Sequence, residues 1–400
     1  MQHDPSLSRG AAAVDIDPYG DAFLADPYPF HALLRDAGPV IRLPRYDAFG
    51  LARYAEVRAA LQDAATFCSS AGLGLSNFHT ETPWRPPSPL LEADPPQHAR
   101  TRAVVARILA PAAVRRLAAT FAEEAEALVG RLVARGRFDG IADLAEPYPL
   151  KVFPDAVGLP EAGRENLIPY GNLTADAFGP LNERVRSAMA KAGPVIAWLT
   201  AQCRREALRP GSFGAQIHDA ADAGEITREE AELLVRALLG AGLETTVSAL
   251  GNMLRCFAEH PDQWRRLRAE PELLRPAIEE VLRFETPGQS FFRTTTRAVE
   301  IGGATIPAGQ KVLLFLGAAN RDPRQWDAPD RFDIARPRRG HIAFGAGIHA
   351  CVGHMVARME AEAVLGALLR RVASIEPDGT PRLRPSNSMR ALASLPLRVR

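Results

Sequence analysis

FGAGIHACVG, residues 344 to 353, decides how the rest of the chain is read. Three glycines, a histidine and a cysteine stand within ten residues, just ahead of a long helical pattern. The chain holds only 4 cysteines, Cys68, Cys203, Cys256 and Cys351. None forms a CxxC pair, so neither a zinc knuckle nor a disulfide framework is indicated. A thiolate is a soft, strongly donating ligand suited to iron, copper or zinc. Glycines let backbone amides turn towards the sulfur and let a flat cofactor approach closely. Hydrogen bonds from those amides tune the metal. The pattern F-G-x-G-x-H-x-C-x-G therefore reads as a haem-thiolate loop, with Cys351 as the metal ligand. The bland alternative is a buried cysteine in a glycine turn.

Outward from this loop the pattern is mainly α with a small β region. Residues 227 to 259 form the longest helical pattern, with Thr227 and Glu230 spaced as a capping box and His260-Pro261 as the stop. At 1.5 Å per residue it would run about 48 Å and cross the molecule. Further helices are predicted over about 98–110 and about 111–135, and strands between about 291 and 317. VIRLP and AFGLAR look like a hairpin. Residues 69 to 97 are rich in Gly, Ser and Pro, and a loop that long inside a compact protein is usually functional or disordered. No repeat or linker breaks the pattern, so residues 1–400 are expected to form a single domain.

Lys plus Arg is 48 and Asp plus Glu is 47, a net charge of +1. That balance excludes a dedicated nucleic-acid binder, which would carry a basic excess. No apolar run reads as a membrane span. The polar start MQHDPSLSRG has no signal-peptide segment, so a cytoplasmic monomer without membrane contact is expected.

Two further motifs agree with the cysteine loop. Glu280 and Arg283 in EEVLR form E-x-x-R on a helix upstream of Cys351. AGLETT, residues 241 to 246, lies inside the long helix, where Gly242 and Thr245 are each poor helix formers. That placement predicts a local opening of the backbone ladder. With these three motifs the chain resembles the cytochrome P450 family over nearly its whole length. The resemblance implies a cytochrome P450 fold with the long central helix over haem b. Cys351 is then the thiolate ligand, with Phe344 and Gly345 beside it. Glu280 and Arg283, joined by Arg336, brace the core behind the haem. Glu244 and Thr245 become the catalytic pair that supplies protons for cleavage of the O–O bond of O2. His98 and Arg102, spaced H-x-x-x-R, together with Arg293 and His349, become the partners of the haem propionates. Electrons come from NAD(P)H through a reductase and a [2Fe-2S]-type ferredoxin. Arg107, Arg115, Arg116, Arg338, Arg339 and Arg358 are candidates for the docking face of that acidic partner.

The stretches PWRPPSPLLEADPP, FGPLNE, FFRTTT and ANRDPRQW are similar to the bacterial members that oxidise para-substituted benzoic acids. This implies O-demethylation of 4-methoxybenzoate to 4-hydroxybenzoate and formaldehyde, or a related hydroxylation. Arg85 and Ser88, stiffened by flanking prolines, and Arg236 on the long helix would hold the carboxylate. Phe178 and Phe291 offer flat faces that could sandwich the ring. Leu91, Ala241 and Gly288 would complete the pocket. Ala237 stands where the subfamily has a serine, and Ala175 and Gly288 are smaller than expected, which leaves the ring substituent open. The competing readings are a monooxygenase of another small apolar substrate (a terpene, phenol or cinnamate) and a non-catalytic haem-thiolate gas sensor. The Glu244–Thr245 pair speaks against the sensor.

Overall fold

The computed structural model describes residues 10–337 and 340–400. Its axis is the central helix, which forms as two segments, Arg228–Gly242 and Glu244–Glu259. Leu243 joins them at φ −95° and ψ −61°, off the ideal helical values. The start is fixed as the sequence predicts. The Thr227 side chain accepts from the Glu230 amide at 3.1 Å, and the Thr227 amide donates to the Glu230 carboxylate at 2.9 Å. The irregularity sits where two glycines admit aromatic rings. A Cβ on Gly242 would lie 2.5 Å from the Phe153 ring, and one on Gly240 would lie 2.9 Å from the Tyr170 ring. Taken as one 32-residue element, Arg228–Glu259 is long and apolar enough to span a membrane, contrary to the reading that no run is. More than half of its apolar window is buried inside the fold. The apolarity is that of a core helix surrounded by others, and Leu234, Leu239, Leu250 and Phe257 lie in the largest hydrophobic cluster.

The segment 111–135, read as one helix, is two: Pro111–Arg115 and Ala118–Arg135. A turn from the Leu117 amide to the Val114 carbonyl, 3.0 Å, separates them. The break lets the longer helix aim its own stripe, Phe121, Ala125, Val129 and Leu132, at the core. That stripe packs along the His354–Arg371 helix, which follows the cysteine loop.

A six-stranded sheet flanks the helices. Its order is Ala12–Ala13, Ile41–Leu43, Ala48–Leu51, Lys311–Phe315, Ser290–Thr295 and Phe67–Cys68. The predicted hairpin is present, with Ile41 opposite Gly50. Lys311–Phe315 pairs in parallel with Ala48–Leu51 and antiparallel with Ser290–Thr295. The second pairing carries Arg293 to the site. A C-terminal hairpin, Arg382–Arg384 with Ala391–Ser394, closes over the middle of the central helix. Its loop is tied back by a bridge between Gly288 and Met389.

Candidate active site

The cysteine loop is a tight coil of backbone bonds. The Cys351 amide donates to the Phe344 carbonyl at 2.8 Å, and the Gly345 amide to the Ile342 carbonyl at 2.9 Å. Gly347, at φ +70°, is required twice over: its backbone is left-handed, and a Cβ would lie 2.4 Å from the Leu61 carbonyl oxygen. The amides of Gly353 and His354 hydrogen-bond the Cys351 sulfur. Burial nonetheless holds the thiol above its ordinary range, against those amides and the nearby Arg102 and Arg358. Cys68, Cys203 and Cys256 are fully buried. Burial pushes Cys203 up to about 12 and Cys256 well above its ordinary value, so both are apolar core residues.

A large cavity lies between the cysteine loop and the central helix. Cys351, Phe344 and Gly345 line it from the loop, Ala241 and Thr245 from the helix, and Phe178, Phe291 and Leu91 complete the lining. His98, Arg102, Arg293 and His349 gather at its edge. The two imidazole centroids are 4.1 Å apart, and each ring has a buried Nε2 with no partner among the described residues. Desolvation lowers Arg293 to about 10, and desolvation together with Arg293 lowers His349 to about 3. Arg102 donates to the Ala350 carbonyl at 2.6 Å. Neither Arg102 nor Arg293 makes an ion pair among the described residues. The nearby acid, Asp94, is held by the amides of Ser69 and Ser70 at 2.9 and 3.1 Å. Two arginines without ion pairs and two imidazoles with unpartnered buried nitrogens give this edge the chemistry to hold anions.

On the central helix, the Thr245 hydroxyl donates to the Ala241 carbonyl at 2.8 Å, so its lone pairs are what the cavity meets. Glu244 is 4% exposed. Burial raises its pKa, and Arg384 of the C-terminal hairpin, in direct ion-pair contact, opposes that rise. Ser248 donates to the same carboxylate at 3.3 Å. Behind the cysteine loop, Arg283 grips Glu280 through two bonds of 2.8 Å, and Arg336 Nε reaches Glu280 at 3.1 Å.

The far corner of the cavity holds Arg85, Ser88 and Arg236. Arg85 is not a free cation. Its fork is engaged by Glu92, with Nη1 and Nη2 at 2.8 and 2.9 Å from the two carboxylate oxygens. Ser88 donates its amide to Glu92 at 2.8 Å and caps the next turn, accepting from Leu90 and Leu91. Arg236 donates to the Pro86 carbonyl at 2.6 Å. Phe178 and Phe291 do not face each other across a slot. They meet edge to face, with centroids 5.6 Å apart, and form one wall. Gly288 touches that wall, since a Cβ there would lie 3.0 Å from the Phe291 ring.

The family model for cytochrome P450 matches residues 212–399. Cytochrome P450 CYP199A2 of Rhodopseudomonas palustris is 56% identical over 391 residues, 98% of this chain and 95% of that protein. The chain belongs to the cytochrome P450 family. Cytochrome P450 107B1 of Saccharopolyspora erythraea is 34% identical, over 96% of this chain and 98% of that one. Among solved structures, P450BioI in complex with a fatty-acyl carrier protein superimposes with a TM-score of 0.85 at 28% identity, over 95% of this chain and 100% of that one. Cytochrome P450 CREJ in complex with (4-ethylphenyl) dihydrogen phosphate does so with a TM-score of 0.85 at 26% identity, over 96% and 99%.

This cytochrome P450 is a haem-thiolate monooxygenase, and the residues present fit haem b. The buried cationic edge matches the two propionates, and a metal cation is what ionises a thiol that burial alone would keep protonated. Three features of the site were not foreseen. Glu92 and Arg384 are drawn into it by contacts that no short motif announces. A third is Glu360 on the helix after Cys351. It lines the cavity, is 1% exposed, and has both carboxylate oxygens unpartnered among the described residues. Burial raises it to about 8, so it is mostly neutral at pH 7. Thr246 faces it but already donates to the Gly242 carbonyl at 3.0 Å. A protonated Glu360 can donate to that hydroxyl instead. Of the candidate docking arginines, Arg107 is paired with Glu225 at 2.8 Å and Arg358 with Glu279 at 2.6 Å. Arg115 and Arg116 are exposed without ion pairs among the described residues. Arg338 and Arg339 lie outside the described residues.

Proposed function

We propose that residues 1–400 form a single cytochrome P450 domain, a cytoplasmic monomer that oxidises a small aromatic acid. The reaction is O-demethylation or hydroxylation of a para-substituted benzoate. For 4-methoxybenzoate, O2, two electrons and two protons yield 4-hydroxybenzoate, formaldehyde and water. The observation that carries this reading is the shape of the charge: an apolar cavity over Cys351 ends in a corner with Arg85, Ser88 and Arg236. An acid anchored there points its para substituent towards the cysteine loop. The (4-ethylphenyl) phosphate ligand of one structural neighbour is likewise a para-substituted aromatic anion.

When bound, haem supplies the redox chemistry that activates O2. The residues do the rest. His98, Arg102, Arg293 and His349 hold the propionates. Phe344 and Gly345 shape the thiolate side, and Glu280 with Arg283 and Arg336 keeps that side rigid. Glu244 takes a proton from solvent, and Thr245 orients it towards the reacting oxygen. Phe178, Phe291, Leu91, Ala241 and Gly288 confine the ring and exclude water. Electrons come from a [2Fe-2S]-type ferredoxin, for which the exposed Arg115 and Arg116 offer positive charge.

The test is a side-by-side spectral titration of the haem-loaded protein with 4-methoxybenzoate and the neutral 4-methoxyacetophenone, followed by formaldehyde assay with a ferredoxin system. A spin shift and formaldehyde from the acid are expected. A shift only with neutral ligands would favour a phenol or terpene substrate instead.

A further inference from the structure

The charge in the cavity corner is smaller than its residues suggest. Two arginines converge on one carbonyl, Pro86, with Arg85 Nη1 at 3.1 Å and Arg236 Nη2 at 2.6 Å. Among the described residues only Arg85 has a counter-ion. Glu92 is 5% exposed, and it binds the Arg85 fork through two parallel bonds, the geometry in which guanidinium and carboxylate match best. A third bond, from the Ser88 amide, fixes the carboxylate in the loop. The Arg85 Nε is buried without a partner among the described residues. Arg236 has no ion pair among the described residues. Two arginines and one glutamate leave the corner one net positive charge, and that charge belongs to Arg236.

We propose that Glu92 is a specificity-determining residue: it neutralises Arg85, so that the corner accepts a single negative charge and takes it on Arg236. This rests on the aromatic-acid reading and names the charge state of the substrate, an aromatic mono-anion. The Ser88 hydroxyl, whose oxygen already accepts from Leu90 and Leu91, has its proton left for the same carboxylate. An aryl phosphate dianion would bring a second negative charge beside Glu92 and be rejected. A neutral ketone would leave Arg236 uncompensated but meet no repulsion. Arg85 is therefore a strut of the loop, not the anchor. The free energy of its bidentate pair goes into holding residues 85–92 in shape.

The experiment compares four haem-loaded proteins by spin-shift titration, and by calorimetry for ligands that give no shift: wild type, Glu92→Gln, Arg236→Gln and the double variant Arg85→Gln/Glu92→Gln. The ligands are 4-methoxybenzoate, 4-methoxyphenyl phosphate and 4-methoxyacetophenone. Glu92→Gln keeps the side-chain shape and exposes a second positive charge. It should tighten the acid about tenfold and the phosphate by more, with the ketone within twofold. Arg236→Gln should weaken the acid about a hundredfold and leave the ketone within threefold. The double variant should bind the acid within about threefold of wild type. If it loses the acid but keeps the ketone, Arg85 is the anchor and the inference is overturned. If Glu92→Gln leaves the ratio of acid to ketone unchanged, Glu92 does not set the charge and the inference is overturned. Wild type that binds the ketone and ignores the acid would overturn the aromatic-acid reading itself.

Discussion

At the scale of single residues, the site is governed by who shares a charge with whom. Burial holds the Cys351 thiol above its ordinary range, and a bound metal cation favours its thiolate. Cys351→His should therefore abolish the red-shifted Soret band of the reduced carbon monoxide complex; an unchanged band would show that another residue is the ligand. Glu244 is pulled in opposite directions, upward by burial and downward by Arg384. Arg384→Leu removes the downward pull, so the acid keeps its proton to higher pH. The acid limb of the product-formation profile should move to higher pH, with more NADH diverted to peroxide. Replacement by lysine should reverse part of the shift. A profile unmoved in Arg384→Leu would mean that the contact does not control the acid. Only one partner of this pair was legible from the sequence. AGLETT identifies the acid, but Arg384 lies 140 residues further on and meets it only through the fold.

At the scale of elements, motifs were legible where local spacing determines geometry. E-x-x-R puts its two side chains on one helical face, and the structure shows them gripping each other with 4% and 2% exposure. Such a pair is costly to break from one side. Glu280→Ala would strand the Arg283 guanidinium without its acid, at about 3–5 kcal/mol. Purified protein should show a lower melting temperature and poor haem occupancy, whereas a surface pair such as Arg107–Glu225 should be replaceable with little change in either. The central helix was legible as a helix and as a place of weakness, but not as two segments. The cause lies outside it, in rings brought from other elements. A methyl group on Gly242 would overlap the Phe153 ring, and overpacking of this kind costs about 1–3 kcal/mol. Gly242→Ala should destabilise by that amount in denaturant titration, and Phe153→Leu in the same protein should recover most of it. Failure of the second change to rescue the first would locate the requirement in backbone freedom rather than in space.

At the scale of the whole molecule, buried titratable groups tie stability to pH. Glu360 has a raised pKa, about 8, so the folded protein holds a proton that the unfolded chain releases above about 4.5. Over that window the folded state binds more protons, and stability falls as pH rises. Glu360→Gln keeps a neutral side chain and removes the slope. Its melting temperature should match wild type near pH 5 and exceed it increasingly towards pH 8; parallel curves would show that Glu360 is not the group responsible. The sequence could not announce this, because a glutamate in a helical pattern reads as solvated until the partners of that helix are known. The sheet was half legible for a related reason. The hairpin within it is local, with Ile41 opposite Gly50, while the neighbouring pairing sets Phe49 beside Val312. That last register also sets a timetable. A ribosome adding about 5–20 residues per second needs on the order of 15–50 seconds to make the partner of an apolar strand already outside the exit tunnel. Until then Ala48–Leu51 is an open edge, exposed to any other strand it meets. The yield of this enzyme in a host cell should thus depend on chaperone supply and growth temperature before it depends on haem.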